Sequence, residues 1–413
     1  MTNVDSIKII PDKSRWLYLS GVWLIYFVFG LMMFSLAPIV SIIIDDLSIT
    51  STQMGSILGA WPLIYIIMAI PCGAFVDRAG LKLALFLAAL IMALSGLLRA
   101  ISFDYLTMFF SVSLFGIGGP LISIGAPKLI ADYFIGKERG LAMGIYITGP
   151  AFGSIFALST TNSIFMPIFE NNWREVILVF SFFVFLSSGI WLYLSRGIQI
   201  KNSEQINFNI FKQLTIYLNL IKLKNVQILL LMSVCIFFYS HGLFNWLPEI
   251  LRMKNMTLSQ AGYWASLPTL AGIIGSLLIP RIATRDRRMF IFFILILSAI
   301  VSTLLLLFDW LPLLSTGLIL QGISRATLMT IAILILMESP GVKSDHMGAA
   351  GGLFFTFAEI GGVLGPLSMG KIFDITGNFD LSLIFMTLVT VLLILFFFYL
   401  NYNNKKIIYK NKS

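Results

Sequence analysis

The sequence predicts an all-α integral membrane protein, with twelve transmembrane helices in two pseudo-symmetric six-helix bundles. Three observations predict it. Apolar residues make up 58% of the 413-residue chain and charged residues 11%, against about 45–50% and about 25% in soluble domains. Continuous apolar runs of about 20 residues, enough to cross a bilayer, recur from end to end and lack the alternation of a barrel strand. The two halves also repeat. A shift of 207 residues lays Gln53 on Gln260, Gly55 on Gly262 and Arg78 on Arg285, and brings "GKERG" (136–140) onto "KSDHM" (343–347). Two like-oriented halves that meet around polar midplane sites are a transporter architecture.

The first fifteen residues are polar, and the apolar run that follows is long enough to span rather than serve as a cleaved signal. The spans of the first half are expected at Trp16–Ile44, Gln53–Val76, Lys82–Ile101, Tyr105–Tyr133, Gly140–Ile164 and Arg174–Leu194. Those of the second are expected at Gln227–Leu251, Gln260–Ile282, Met289–Phe308, Leu311–Met337, Met347–Phe373 and Leu381–Tyr402. This divides the chain into an N-terminal bundle (1–195), a connection (196–226), and a C-terminal bundle with a basic tail (227–413). In the connection, Ile210, Phe211, Leu214, Leu218 and Ile221 keep the spacing of one helical face beside Lys212, Lys222 and Lys224. That pattern predicts an amphipathic helix in the membrane interface, with a disordered linker as the alternative.

The net charge of +9 does not indicate nucleic acid, because its distribution is that of membrane topology. Of the 28 Lys and Arg residues, 21 fall in loops and tails on the side of the termini. Lys8, Lys201 and the four tail lysines are among them. Five (Arg99, Arg174, Arg252, Lys254, Lys371) fall on the other side, and Lys128 and Arg325 lie within spans. The termini are therefore expected in the cytoplasm and the protein in the plasma (inner) membrane. Cys72 and Cys235 both sit in apolar runs and are expected to be packing residues. No phosphate-cradling loop, metal-spaced His/Cys set or catalytic triad is present, so neither enzyme activity nor a cofactor is expected.

Between spans 2 and 3 lies "GAFVDRAGLK" (73–82). Gly73 permits close helix packing and Gly80 a tight turn. Asp77 suits a helix N-terminus, while Arg78 and Lys82 suit anionic headgroups. The stretch resembles the signature loop of the major facilitator superfamily. "ITGPAFGS" (147–154), "NWLPEIL" (245–251) and "GPLSMGKIFDITGN" (365–378) resemble other elements of that superfamily, so the likeness covers nearly the whole chain. "GAPKLIADYFIGKERGLAMGIYITGP" is most similar to the cyanate-, nitrate- and organic-anion porter branches, and a similar stretch also appears in the heme- and choline-exporter branch. The chain departs from nitrate porters, because it has no Asn in the Gly-rich stretches of spans 5 and 11 and no cavity-depth Arg in spans 2 and 8. The resemblance implies that spans 1, 4, 7 and 10 line a central cavity.

Lys128 and Arg325 lie on two of those spans, and a cation at such depth implies a partner or a use. Arg325 offers a planar, permanent fork for a carboxylate or similar oxyanion; the alternative is a structural arginine held by Ser324 and Thr327. Lys128 is expected either to contact solute or to pair with Asp132 at i+4. Glu359 is an acid well inside span 11, able to carry a proton in a coupling role or to serve as counter-charge to a cation. His241 could shuttle a proton or wall the cavity. Tyr239, Asn245 and Trp246 share its span, and Tyr26 and Tyr146 are weaker candidates of the same kind. Asp45 and Asp46 are expected in an outer loop, and Lys371 with Asp374 as a local i,i+3 pair.

The expected activity is secondary active transport of a small anionic, carboxylate-like solute by alternating access, coupled to protons or another gradient. The expected partners are that solute and the bilayer, and the expected state is a monomer. Two alternatives remain: an exporter of a cationic or zwitterionic amphiphile, and a transport-dead membrane sensor on the same scaffold.

Overall fold

A computed structural model describes residues 12–198, 210–343 and 346–410, and all regular structure among them is helical. Lys8, Lys201 and Lys412, residues 199–209 of the connection, and Ser344 and Asp345 of the second repeated loop lie outside the described residues. Eleven described segments are long and apolar enough to cross a bilayer. Span 1 is Ser14–Leu47, span 4 Tyr105–Tyr133, span 5 Glu138–Ile168 and span 6 Trp173–Gly197. Span 7 is Lys224–Met253, span 8 Leu258–Ile282, span 9 Arg288–Leu305, span 10 Leu311–Met337, span 11 Met347–Thr376 and span 12 Asp380–Asn404.

The remaining segment, Ser51–Ala100, has 50 residues. A single helix of that length would run ~75 Å at 1.5 Å per residue, more than twice the hydrocarbon thickness. It breaks at Gly80, whose φ of 80° and ψ of 162° are not helical and belong to the region that favours glycine. Its two arms are spans 2 and 3, and they bring the total to the expected twelve. The break falls inside "GAFVDRAGLK", where the sequence places the turn.

An even number of spans puts both ends of the chain on one face, here termed the terminal face. Within the first half, spans 2 and 3 pack on spans 4 and 6, and span 1 packs on span 5. Within the second, span 7 packs on span 11, span 10 on spans 8 and 9, and span 9 on span 12. The halves join near the opposite face, where the start of span 2 meets span 11 and span 5 meets span 8. Backbones touch there. A Cβ on Gly370 would lie 2.1 Å from the Ser51 carbonyl oxygen, and one on Gly262 would lie 2.2 Å from that of Leu158, so only glycine fits either place. The expected amphipathic helix forms at Ile210–Ile221 and leans on spans 7 and 11.

The repeat extends to helix capping. Spans 2 and 8 both begin with a capping box, Thr50 with Gln53 and Thr257 with Gln260, in which each side chain takes the other residue's backbone N–H. Each box satisfies two of the donors that a helix start leaves open.

Two local expectations are corrected, and one residue gains a partner that the sequence does not mark. Arg99 lies in the last turn of span 3, within the bounds expected for that span, and is 1% exposed. Span 1 departs from helix over residues 34–36, which frees the Met32 carbonyl to accept from Arg99 Nη1 at 2.9 Å, with Ser35 Oγ at 3.3 Å. Asp45 and Asp46 are helical (Val40–Leu47), and Asp46 pairs with Arg174 at 2.6 Å. The Asp374 carboxylate does not turn to Lys371; it crosses to the start of span 2.

Candidate transport site

Arg325 sits near the middle of span 10, half-buried. Its guanidinium carbon lies 4.1 Å from the centroid of the Phe244 ring on span 7. Its Nη2 donates to Thr269 Oγ1 of span 8 at 3.3 Å, and its buried Nε has no hydrogen-bond partner among the described residues. Arg325 takes part in none of the ion pairs formed among the described residues. An aromatic face supports the cation, and the unpartnered Nε is a donor from which a carboxylate can accept.

Glu359 of span 11 is 5% exposed, its Oε2 has no hydrogen-bond partner, and it too is absent from those ion pairs. A Cβ built on Gly362 would stand 2.7 Å from that oxygen and 3.1 Å from His241 Nδ1. The two groups are therefore no farther apart than the sum of those lengths, about 6 Å. Glycine at 362 is what lets them approach. The His241 ring is stacked between Trp61 at 5.5 Å and Phe237 at 5.2 Å. Trp61 belongs to span 2, so this stack crosses between the halves. So does the contact of Phe34 with Phe244, centroids 3.8 Å apart. An acid, an imidazole and a guanidinium with an unpartnered Nε are thus held among aromatic rings at the seam between the halves. Charge is expensive to bury without a partner in such a place.

The remaining candidates are packed in supporting positions. The Tyr239 hydroxyl is shared with Ser302 and Ser324 at 2.9 Å each, and the residue is fully buried. Asn245 Nδ2 donates to the His241 carbonyl at 2.8 Å, and Trp246 Nε1 donates to that of Pro366 at 2.9 Å. Tyr26 donates to the Ile122 carbonyl at 3.1 Å and meets Tyr146 edge-on at 5.0 Å.

Lys128 does not pair with Asp132. Its Nζ lies 2.5 Å from Asp77 Oδ1, with side-chain exposures of 37% and 52%. The helix broken at Gly80 brings the signature loop beneath span 4, and Asp77 there outcompetes the neighbour one turn away. Arg78 is exposed, and the Lys82 carbonyl accepts from Trp191 Nε1 at 2.9 Å. Gly73 is not at a close approach: a Cβ there would meet Ile124 at an ordinary 3.5 Å.

Trp61, Phe244, Thr269 and Gly362 were not legible as site residues. Each is an unremarked residue in an apolar run, and only the pairing of spans 2, 7, 8, 10 and 11 brings them together.

The sequence profile of the Major Facilitator Superfamily matches residues 22–286 and 229–412. The chain is 24% identical over 363 residues to the hexuronate transporter of Bacillus subtilis, covering 81% of this chain and 82% of the relative. It is 23% identical over 375 residues to the quinolone resistance protein NorA of Staphylococcus aureus, covering 88% and 91%. The fold is similar to that of a bacterial homolog of the human lysosomal transporter Spinster, at TM-score 0.72 and 17% identity over 95% of this chain and 98% of that one.

Proposed function

The chain belongs to the Major Facilitator Superfamily, and from that premise we propose that it is a secondary active transporter of a small solute with an anionic, carboxylate-like head, with Glu359 carrying the coupled proton. Residues 1–195 and 227–413 are the two moving bodies, joined by 196–226. The charge tally supports cytoplasmic termini in a plasma (inner) membrane.

One observation carries the sign of the cargo. Arg325 presents a buried, unpaired Nε, and Glu359 does not neutralise it. A solute carboxylate supplies the missing charge and the missing acceptor together. Likeness to a hexuronate transporter agrees with this. A second reading, a cationic or zwitterionic amphiphile held by Glu359 among Trp61, Phe237 and Phe244, is favoured by likeness to a quinolone resistance protein.

A thermal-shift panel of carboxylates, inorganic anions and quaternary amines separates the two readings, because a ligand of the folded state raises its apparent stability. The hit is expected to be an anion. Arg325→Lys, which keeps the charge but loses the fork, should bind it at least about tenfold more weakly, and Arg325→Ala more weakly still. A best ligand that is a cation, lost in Glu359→Gln and untouched in Arg325→Ala, would overturn the anion reading.

A further inference from the structure

The first three amide donors of span 2 are satisfied from two places in the chain. Thr50 takes the N–H of Gln53 at 3.1 Å, within its own half. The N–H groups of Ser51 and Thr52 go to Asp374 Oδ1 and Oδ2 at 2.9 and 2.7 Å, and the Thr52 hydroxyl reaches Oδ2 at 2.5 Å. Asp374 lies in the last turn of span 11, so the cap on span 2 is supplied by the other half of the molecule. A carboxylate at a helix start gains from the open donors and from the helix dipole, and here that gain is made across the seam.

The repeat provides an internal comparison. Span 8 begins with the same capping box, and the neighbouring half again supplies contacts, from Asn162 at the π-helical turn of span 5. The Asn162 carbonyl accepts from Ser259 Oγ at 3.1 Å, and its Nδ2 donates to the Leu258 carbonyl at 3.4 Å and to Pro38 at 2.7 Å. Among the described residues no carboxylate takes part, and the amide is shared with its own half. The two seams at the opposite face are alike in place and unlike in chemistry.

We propose that Asp374 is the releasable latch of the opposite face: its carboxylate caps span 2 from across the seam, and that face opens only when the cap is given up. Water replaces the cap in the open state, whereas the Thr50–Gln53 box travels with span 2 and is unaffected by opening. Removing Asp374 therefore destabilises the sealed state alone. A cap of this kind shifts an equilibrium by between about twofold and about thirtyfold.

The test measures distances between spin labels at Phe103→Cys and Trp310→Cys, exposed residues at the opposite face in the two halves, in a Cys72→Ala, Cys235→Ala background in lipid nanodiscs. Asp374→Ala is expected to raise the ratio of long to short distances about tenfold, with Asp374→Asn, which keeps one acceptor, in between. Thr52→Val removes one of the three contacts without touching the acid and should move the ratio the same way by less; it also decides the matter should Asp374→Ala not fold. Gln53→Ala breaks the box inside one half, and should lower thermal stability while leaving the ratio at its wild-type value. Unchanged distributions in Asp374→Asn and Thr52→Val would overturn the latch, as would an equal shift from Gln53→Ala, which would reduce the contact to ordinary fraying of a helix end.

Discussion

Adding one methyl group at Gly322 tests how packing sets the site. The glycine sits on span 10, one turn before Arg325, against span 8. A Cβ there would lie 2.0 Å from the Pro268 carbonyl oxygen and 2.7 Å from its Cα. These are backbone atoms, so no side chain can swing aside. Real contacts of this kind stop near 3.0 Å, so spans 8 and 10 must part by at least 3.0 minus 2.0, or 1.0 Å. Thr269, next to Pro268, moves with span 8, and its bond to Arg325 Nη2 lengthens from 3.3 Å by up to that amount, which breaks it. Overpacking costs about 1–3 kcal/mol of stability. Loss of a hydrogen bond to a charged group costs about 1.5–3 kcal/mol, or about ten- to a hundredfold in solute affinity. Thr269→Val keeps the helices in place and removes the same bond, so it should share the affinity loss with little change in melting temperature. The assay is calorimetric affinity for the anionic hit, with thermal unfolding, on wild type and both variants. Wild-type affinity and melting in Gly322→Ala would refute the overpacking; wild-type affinity in Thr269→Val would refute the role given to the Arg325–Thr269 bond.

Two further predictions concern coupling and the signature loop. Glu359→Gln should abolish solute accumulation driven by a pH gradient in proteoliposomes while leaving solute exchange intact; accumulation at the wild-type level would remove Glu359 from proton coupling. The half-exposed Lys128–Asp77 pair is worth about 0.2–1 kcal/mol, so Lys128→Ala and Asp77→Asn should each cost little stability and show non-additive effects on transport rate in a double-mutant cycle. Lys128→Ala should also bind the solute within about twofold of wild type. A tenfold loss would place Lys128 in the site.

Twelve spans, the break at Gly80 and the depth of Arg325 and Glu359 were legible because hydropathy, glycine and isolated charge are properties of a local stretch. The partners of those charges were not. For Lys128 the sequence offers Asp132 one turn away, and the fold supplies Asp77 from 51 positions back. Asp374 has Lys371 at i−3, yet span 2 outbids it with two amide donors and a hydroxyl. Arg99 falls within the expected span 3, but nothing in the sequence marks the break in span 1 that exposes the Met32 carbonyl to it. His241 was marked by its chemistry, but the Trp61 and Phe237 rings on either side of it were not. Periodicity reports which residues share a helix face, and these contacts are set by which helices meet.

The joint between spans 2 and 3 has mechanical consequences. Helix resumes at once on both sides of Gly80, so the connection is a swivel with no slack. The outer end of span 2 is gripped by Asp374, and that of span 3 is clamped to span 1 by Arg99. Together they form a folded lever. A pull at the Asp374 end travels down one arm, turns at a single residue and arrives on span 1, which packs against span 5. A loop of a few extra residues at Gly80 would absorb that pull, and the two arms would then move independently.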